Sequence, residues 1–179
     1  TENSMTKEFE SMTINLTGSK YAISVANGTL GLYCALLALD IGPGDEVLVP
    51  DMTFIATANA VIMAGAKPVL CDIDQHSLGI SIKNLSSKLS KKTKAIMPVH
   101  LYGNTAEMDS ILKFSKEHNL KVIEDAAQGV GVHYKGRHVG TFGDIGVLSY
   151  YGNKTITTGE GGVILTNDEN LAKICYRLK

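Results

Sequence analysis

The stretch Tyr21-Ala22-Ile23-Ser24-Val25-Ala26-Asn27-Gly28-Thr29-Leu30-Gly31-Leu32-Tyr33-Cys34-Ala35-Leu36-Leu37-Ala38-Leu39 decides the fold class. Its first five residues are a short β-rich run, Asn27-Gly28 reads as a turn, and Thr29–Leu39 is an unbroken helix-forming segment. The same alternation continues downstream. Glu46–Val49 reads as a strand and Pro50-Asp51 as a turn, and Thr53 is placed to cap a helix running to about Ala64. Pro68–Asp72 predicts a strand, Ser81–Leu89 a helix, Lys94–His100 a strand and Met108–His118 an amphipathic helix. Val122-Ile123 leads a strand into Glu124-Asp125. Beyond a glycine-rich loop, Ile145–Ser149 and Val163–Leu165 read as strands and Leu171–Leu178 as a helix. Upstream, Phe9, Met12 and Leu16 are spaced for one apolar helix face, with Gly18 as the stop. Strands separated by helices of this length predict right-handed crossovers and an α/β fold. The expected core is a mainly parallel, mixed central sheet flanked by helices, with one or two antiparallel strands from the glycine-richer second half.

Composition narrows the function. The chain has 179 residues, 44% of them hydrophobic, enough for one domain with a real core. Seventeen basic and eighteen acidic residues leave a net charge of −1, so there is no electrostatic footprint for nucleic acid or an anionic membrane. No apolar run reaches the roughly 20 residues that span a bilayer. Cys34, Cys71 and Cys175 are too scattered for a disulfide framework or a metal site and read as small core residues, which fits a cytoplasmic protein. The five histidines show no metal spacing; His133 and His138 flank a Lys135-Gly136 turn and are expected to face solvent, and His100 to be packed and hydrogen-bonded. The Asn-x-Ser/Thr matches at Asn15, Asn27, Asn84 and Asn153 are chance. The chain opens on Thr1 and closes inside its last helical segment, so a piece of a longer protein is expected.

In open α/β sheets, ligands bind outside the carboxyl ends of the strands. Those ends carry Asn27-Gly28-Thr29, His100, Glu124-Asp125 and Ser149-Tyr150-Tyr151, which should share one rim. The amides of Gly28, Thr29 and Leu30 form either an anion cradle at a helix start or an ordinary βα turn. An acid at the end of an apolar strand, such as Asp125, needs a cation, a ligand or a helix to cap. Glu124 should point the other way if the strand alternates, and its neutralisation is expected to matter far less. Lys154, a few residues past a strand end in a tight loop of small residues, is either a solvated charge or a nucleophile.

Taken together, Glu124-Asp125-Ala126-Ala127-Gln128, Gly140-Thr141-Phe142-Gly143-Asp144 and Asn153-Lys154 through Gly162 resemble the DegT/StrS-type sugar aminotransferases, pyridoxal-phosphate enzymes of fold type I. Asn27-Gly28-Thr29, Gly42-Pro43-Gly44-Asp45-Glu46-Val47, Thr53-Phe54-Ile55-Ala56-Thr57 and Pro98-Val99-His100-Leu101-Tyr102-Gly103 agree, in order, from near residue 5 to the end. The Pro98–Gly103 and Gly152–Gly162 stretches are similar to the perosamine-synthase branch. The resemblance implies that Lys154 forms the Schiff base and moves the proton, and that Asp125 pairs with the pyridine nitrogen. It places Gln128 near the phenolic oxygen and Phe54 on the ring face. Gly28, Thr29, Leu30 and Ser149 fall on the phosphate, and Tyr151 towards substrate or cofactor. It further implies a nucleotide-sugar substrate, an amino-acid donor such as glutamate, no metal, and a homodimer in the full-length protein. On this reading, residues 1–179 are the large, cofactor-binding domain without its C-terminal small domain. A related branch that dehydrates has histidine at the lysine position, so Lys154 favours transamination. Two alternatives stay open: a non-catalytic cofactor-binding module, and a nicotinamide-dependent oxidoreductase. Against the second, no Gly-x-Gly-x-x-Gly follows the first strand.

Overall fold

The structure is a computed structural model in which residues 3–179 are described. In chain order the elements are α1 (Ser4–Thr17), β1 (Tyr21–Val25), α2 (Gly28–Ala38), β2 (Glu46–Pro50), α3 (Ala56–Met63), β3 (Lys67–Cys71), α4 (Ile82–Lys88), β4 (Thr93–Ile96), α5 (Met108–Glu117), β5 (Lys121–Asp125), β6 (His133–Tyr134), β7 (Arg137–His138), β8 (Ile145–Ser149), β9 (Gly162–Thr166) and α6 (Glu169–Leu178). Seven strands form one sheet in the order β1-β9-β8-β5-β4-β2-β3, and β6 and β7 make a separate hairpin. Every pairing within the sheet is parallel except those of β9, which runs antiparallel to both β1 and β8. The α/β class and the mixed sheet read from the sequence are what the structure shows.

Strand alternation builds two cores. Ile23, Val47, Val49, Met97, Ile123, Val147 and Ile164 face α2, α3 and α6. Ala22, Leu48, Ile96, Val122, Leu148, Val163 and Leu165 face the opposite way, towards Leu85 of α4 and Met108, Ile111 and Phe114 of α5. Both faces of the sheet are covered, which is why its strands read as nearly continuous apolar runs. The free thiols of Cys34, Cys71 and Cys175 are buried in these cores.

Three local expectations are corrected. The helix read at Phe9, Met12 and Leu16 forms, and Phe9 packs edge-on against Tyr150 with ring centroids 5.0 Å apart, but Met12 and Leu16, with Met5, stand exposed, and Glu10, Thr13 and Thr17 are the buried residues of the docked side. The reason is polar: the Glu10 carboxylate accepts from Ser24 N and Oγ, both at 2.8 Å, which fixes the polar side against β1. Thr53 does not cap α3; Ile55 holds the N-cap position without a side-chain hydrogen bond. The strand read as Lys94–His100 leaves the ladder after Ile96, with Pro98 following, and rejoins only at a single Val99–Asp125 bridge.

Candidate active site

The carboxyl ends of β1, β5 and β8 open on one pocket. It is lined by Gly28, Thr29, Thr53, Phe54, Asp125, Gln128, Ser149, Tyr151 and Lys154 among others. His100 and Glu124, read from the sequence as rim residues, instead turn into the protein, where both side chains are fully buried.

The β1–α2 turn, the anion cradle expected from the sequence, lines one end of the pocket. Asn27, extended and N-capping α2, accepts the Leu30 N–H on Oδ1 at 3.0 Å and the Gly31 N–H on its carbonyl at 3.0 Å. Leu30 therefore gives its amide to the cap, and its side chain lies outside the pocket, which corrects its place in the cradle. The Gly28 and Thr29 amides, in the first turn of α2, have no intrahelical acceptor and point at the pocket end of the helix dipole. Ser149 Oγ stands beside them: a Cβ on Gly28 would lie 3.1 Å from Ser149 Cβ. From the far side, Gly162 presses on the same turn, and a Cβ there would sit 2.6 Å from the Asn27 carbonyl carbon and 2.8 Å from Gly28 N. Gly162→Ala is therefore expected to lower stability by about 1–3 kcal/mol and to displace the cradle. Thermal denaturation with and without inorganic phosphate checks it; wild-type stability with an undiminished phosphate effect would remove the close-contact argument.

Asp125 is the floor. It ends β5 on the α3 side of the sheet, almost wholly buried. Thr57 Oγ1 donates to its Oδ2 at 2.7 Å and Ala127 N to its Oδ1 at 3.1 Å. No helix follows, so the capping alternative fails; residues 126–129 form a turn. Burial pushes the Asp125 carboxyl above the ordinary range. The two hydrogen bonds, then Lys154 and His100, pull it back. Among the described residues Asp125 has no ion-pair partner. A buried carboxylate so placed fits a cationic group supplied by a ligand.

Lys154 lies in the loop between β8 and β9. Their antiparallel pairing continues through Tyr150 N to Gly161 O at 2.9 Å, which closes the loop, and Lys154 N donates to Tyr151 O at 2.9 Å. The half-buried side chain places Nζ 5.9 Å from the centre of the Phe54 ring. Phe54 and Tyr151 are both substantially exposed to the pocket. Gln128 Oε1 accepts the Tyr102 N–H at 2.7 Å, which orients the amide so that its NH2 group remains for the pocket. Tyr102 reaches that position in a left-handed conformation, φ 56°, strain of the kind found at functional sites.

Sequence reasoning missed four residues. Thr57 and Thr53 sit in a stretch from which only Phe54 received a role in the site, Thr53 having been read as a helix cap, although their i, i+4 spacing is visible in it. Glu124 was set aside, yet it accepts Gly140 N at 2.7 Å, Phe142 N at 2.6 Å and Gly143 N at 2.7 Å, with His100 Nε2 at 3.0 Å. His138, expected in solvent, is buried and accepts Gly131 N at 2.9 Å, while His133 is exposed.

The comparisons agree with this geometry. The model of the DegT/DnrJ/EryC1/StrS aminotransferase family matches residues 1–179. A GDP-perosamine synthase of Caulobacter vibrioides is 52% identical over 165 residues, 92% of this chain and 44% of that protein. The crystal structure of an aminotransferase from Psychrobacter cryohalolentis superposes with a TM-score of 0.95 at 45% identity, covering 97% of this chain and 44% of that one. NtdA of Bacillus subtilis, solved with bound cofactor PMP, superposes with a TM-score of 0.91 at 36% identity, covering 98% of this chain and 40% of that one. The chain thus spans about half the length of the curated relatives it matches. With the family model matching from end to end and the lysine loop, acid floor and amide cradle on one rim, the chain belongs to the DegT/DnrJ/EryC1/StrS aminotransferase family.

Proposed function

We propose that these residues form the pyridoxal-phosphate-binding large domain of an enzyme that moves an amino group from an amino acid, glutamate in the first instance, to a keto group of a nucleotide-linked sugar. The observation that carries the reading is the convergence of Lys154, buried Asp125 and the free Gly28 and Thr29 amides on one pocket. Pyridoxal phosphate, when bound, supplies an electrophilic carbonyl and an electron-accepting ring. The chain's residues suit each part of it. The Gly28 and Thr29 amides and Ser149 Oγ take the phosphate; Asp125 holds the ring nitrogen protonated; the Gln128 NH2 group donates to the phenolic oxygen; Phe54 covers one ring face. Lys154 Nζ, on the pocket wall beside Phe54, would serve as the nucleophile towards that carbonyl and as the group that holds and moves the proton, and Tyr151 would stand towards the substrate.

Three finer points belong to the same proposal. The full-length enzyme is a homodimer, supported by the exposed stripe of Met5, Met12 and Leu16 along α1. It works in the cytoplasm, supported by three free buried thiols; the described residues contain no helix long and apolar enough to cross a membrane. Lys154 in place with Asp125 favours turnover over a non-catalytic module, and family membership displaces the oxidoreductase alternative.

The test is covalent mapping. Borohydride reduction in the presence of pyridoxal phosphate, followed by peptide analysis, is expected to place the label on Lys154 alone, and glutamate added before reduction is expected to prevent it. Label on another lysine, or undiminished label in Lys154→Ala, sinks the assignment. Label that persists after glutamate identifies a binding module.

A further inference from the structure

Asp125 is not held by backbone alone. Thr57 Oγ1 lies 2.7 Å from Asp125 Oδ2 and 2.8 Å from Thr53 Oγ1, so three side chains form a chain from the buried floor to the half-exposed pocket wall. An ionised carboxylate only accepts, and a hydroxyl has one proton. Thr57 must therefore donate to Asp125, and Thr53 to Thr57. Two donors, Thr57 Oγ1 and Ala127 N, each occupy one lone pair of a different carboxylate oxygen. The remaining lone pairs are left to the pocket. Thr57 also ties this arrangement to the aromatic wall: its N–H donates to Phe54 O at 3.1 Å.

We propose that Thr57, backed by Thr53, is the positioning residue of this site, fixing the direction in which the Asp125 carboxylate faces a cationic ring nitrogen and holding it in the ionised form that pairs with one. The inference rests on the reading of Asp125 as the partner of the cofactor's ring nitrogen. Its physical basis is that a buried carboxylate keeps its charge only while donors face it. Thr57 supplies one of the two donors that the protein provides; the titratable groups whose charge acts on Asp125 are Lys154 and, from the Glu124 side of the strand, His100.

The experiment reads Asp125 directly. Carboxyl carbon-13 NMR of the ligand-free protein, with the signal assigned by its loss in Asp125→Asn, gives the titration midpoint. Pyridoxal phosphate affinity is measured on the same samples. Thr57→Val keeps the shape and removes the donor. It is expected to raise the midpoint by about one to two pH units, the worth of one hydrogen bond to a charged group. It is expected to weaken pyridoxal phosphate binding about tenfold, and Thr57→Ser to restore both. Thr53→Val, at a half-exposed position, tests the same chain without touching the buried core and is expected to shift the midpoint in the same direction by less. A midpoint unmoved in both valine variants overturns the proposal. So does a Thr57→Ser protein that behaves like Thr57→Val. A midpoint that moves while cofactor affinity stays constant upholds the Thr57–Asp125 coupling and removes Asp125 from the cofactor.

Discussion

Asp125→Asn in the full-length enzyme is expected to slow the first half of amino transfer by on the order of a hundredfold or more while leaving borohydride labelling of Lys154 intact. The substitution is close to isosteric, and the surroundings tolerate it. The Asn carbonyl can accept Ala127 N, and the Thr57 hydroxyl can rotate to accept from the new amide while donating to Thr53. What is lost is the charge. A neutral amide would not stabilise a protonated ring nitrogen, and the ring that pyridoxal phosphate would supply accepts electrons less well when that nitrogen is unprotonated. Nucleophilic attack by Lys154 needs no such acceptor, so the covalent label is expected to survive. Single-turnover spectra with glutamate decide the matter; a wild-type rate in Asp125→Asn would take this residue out of the chemistry.

Glu124→Gln is expected to destabilise the fold by about 3 kcal/mol or more, a larger structural effect than the chemically important neighbour produces. Glu124 Oε1 accepts Phe142 N and Gly143 N, and Oε2 accepts Gly140 N and His100 Nε2. The Ala106 N–H donates to His100 Nδ1 at 3.3 Å, so the ring proton sits on Nε2 and points at the carboxylate. Four donors converge on two oxygens. Glutamine has one acceptor oxygen and one NH2 group, and in either orientation the NH2 group meets a backbone N–H that cannot turn away. Urea denaturation checks this expectation; a loss within about 0.5 kcal/mol of zero, the usual range for an inert surface change, would refute it. The expectation that Glu124→Gln slows amino transfer far less than Asp125→Asn concerns chemistry alone; the cost expected here appears in the folding equilibrium.

The sheet was legible because its strands are short apolar runs punctuated by Asn27-Gly28, Pro50-Asp51 and similar turns, and both faces need covering. The α1 contact was not. Periodicity finds the apolar side of a helix, but Glu10 outweighs Met12 because its carboxylate collects two hydrogen bonds from Ser24, 14 residues away in sequence. For the site, position at strand ends found Asp125, Ser149 and the Gly28 turn, and the motif resemblance supplied Phe54 and Gln128. Thr57 escaped because a threonine in the first turn of a helix, even four residues after another, assigns no ligand until its partner, 68 residues on, is known. Leu30 was misplaced for a related reason. The anion-cradle argument counts amides at a helix start, and only the structure shows that Asn27 takes one of them.

The two acids that end β5 differ by one position and face opposite sides of the sheet, Glu124 towards His100 and the 140–143 loop, Asp125 towards Thr57 and the pocket. Side chains on a strand alternate with a period of two, so chemistry and scaffolding share five residues only by staying in phase. Deleting or inserting a single residue of β5 ahead of Glu124 would put each acid on the other's face, turning the acid of the pocket into the interior and the interior's anchor towards the ligand. Point substitutions there damage one function at a time, whereas a frame slip inverts both. By contrast, the β6–β7 hairpin stands outside the sheet and can change length without altering that parity.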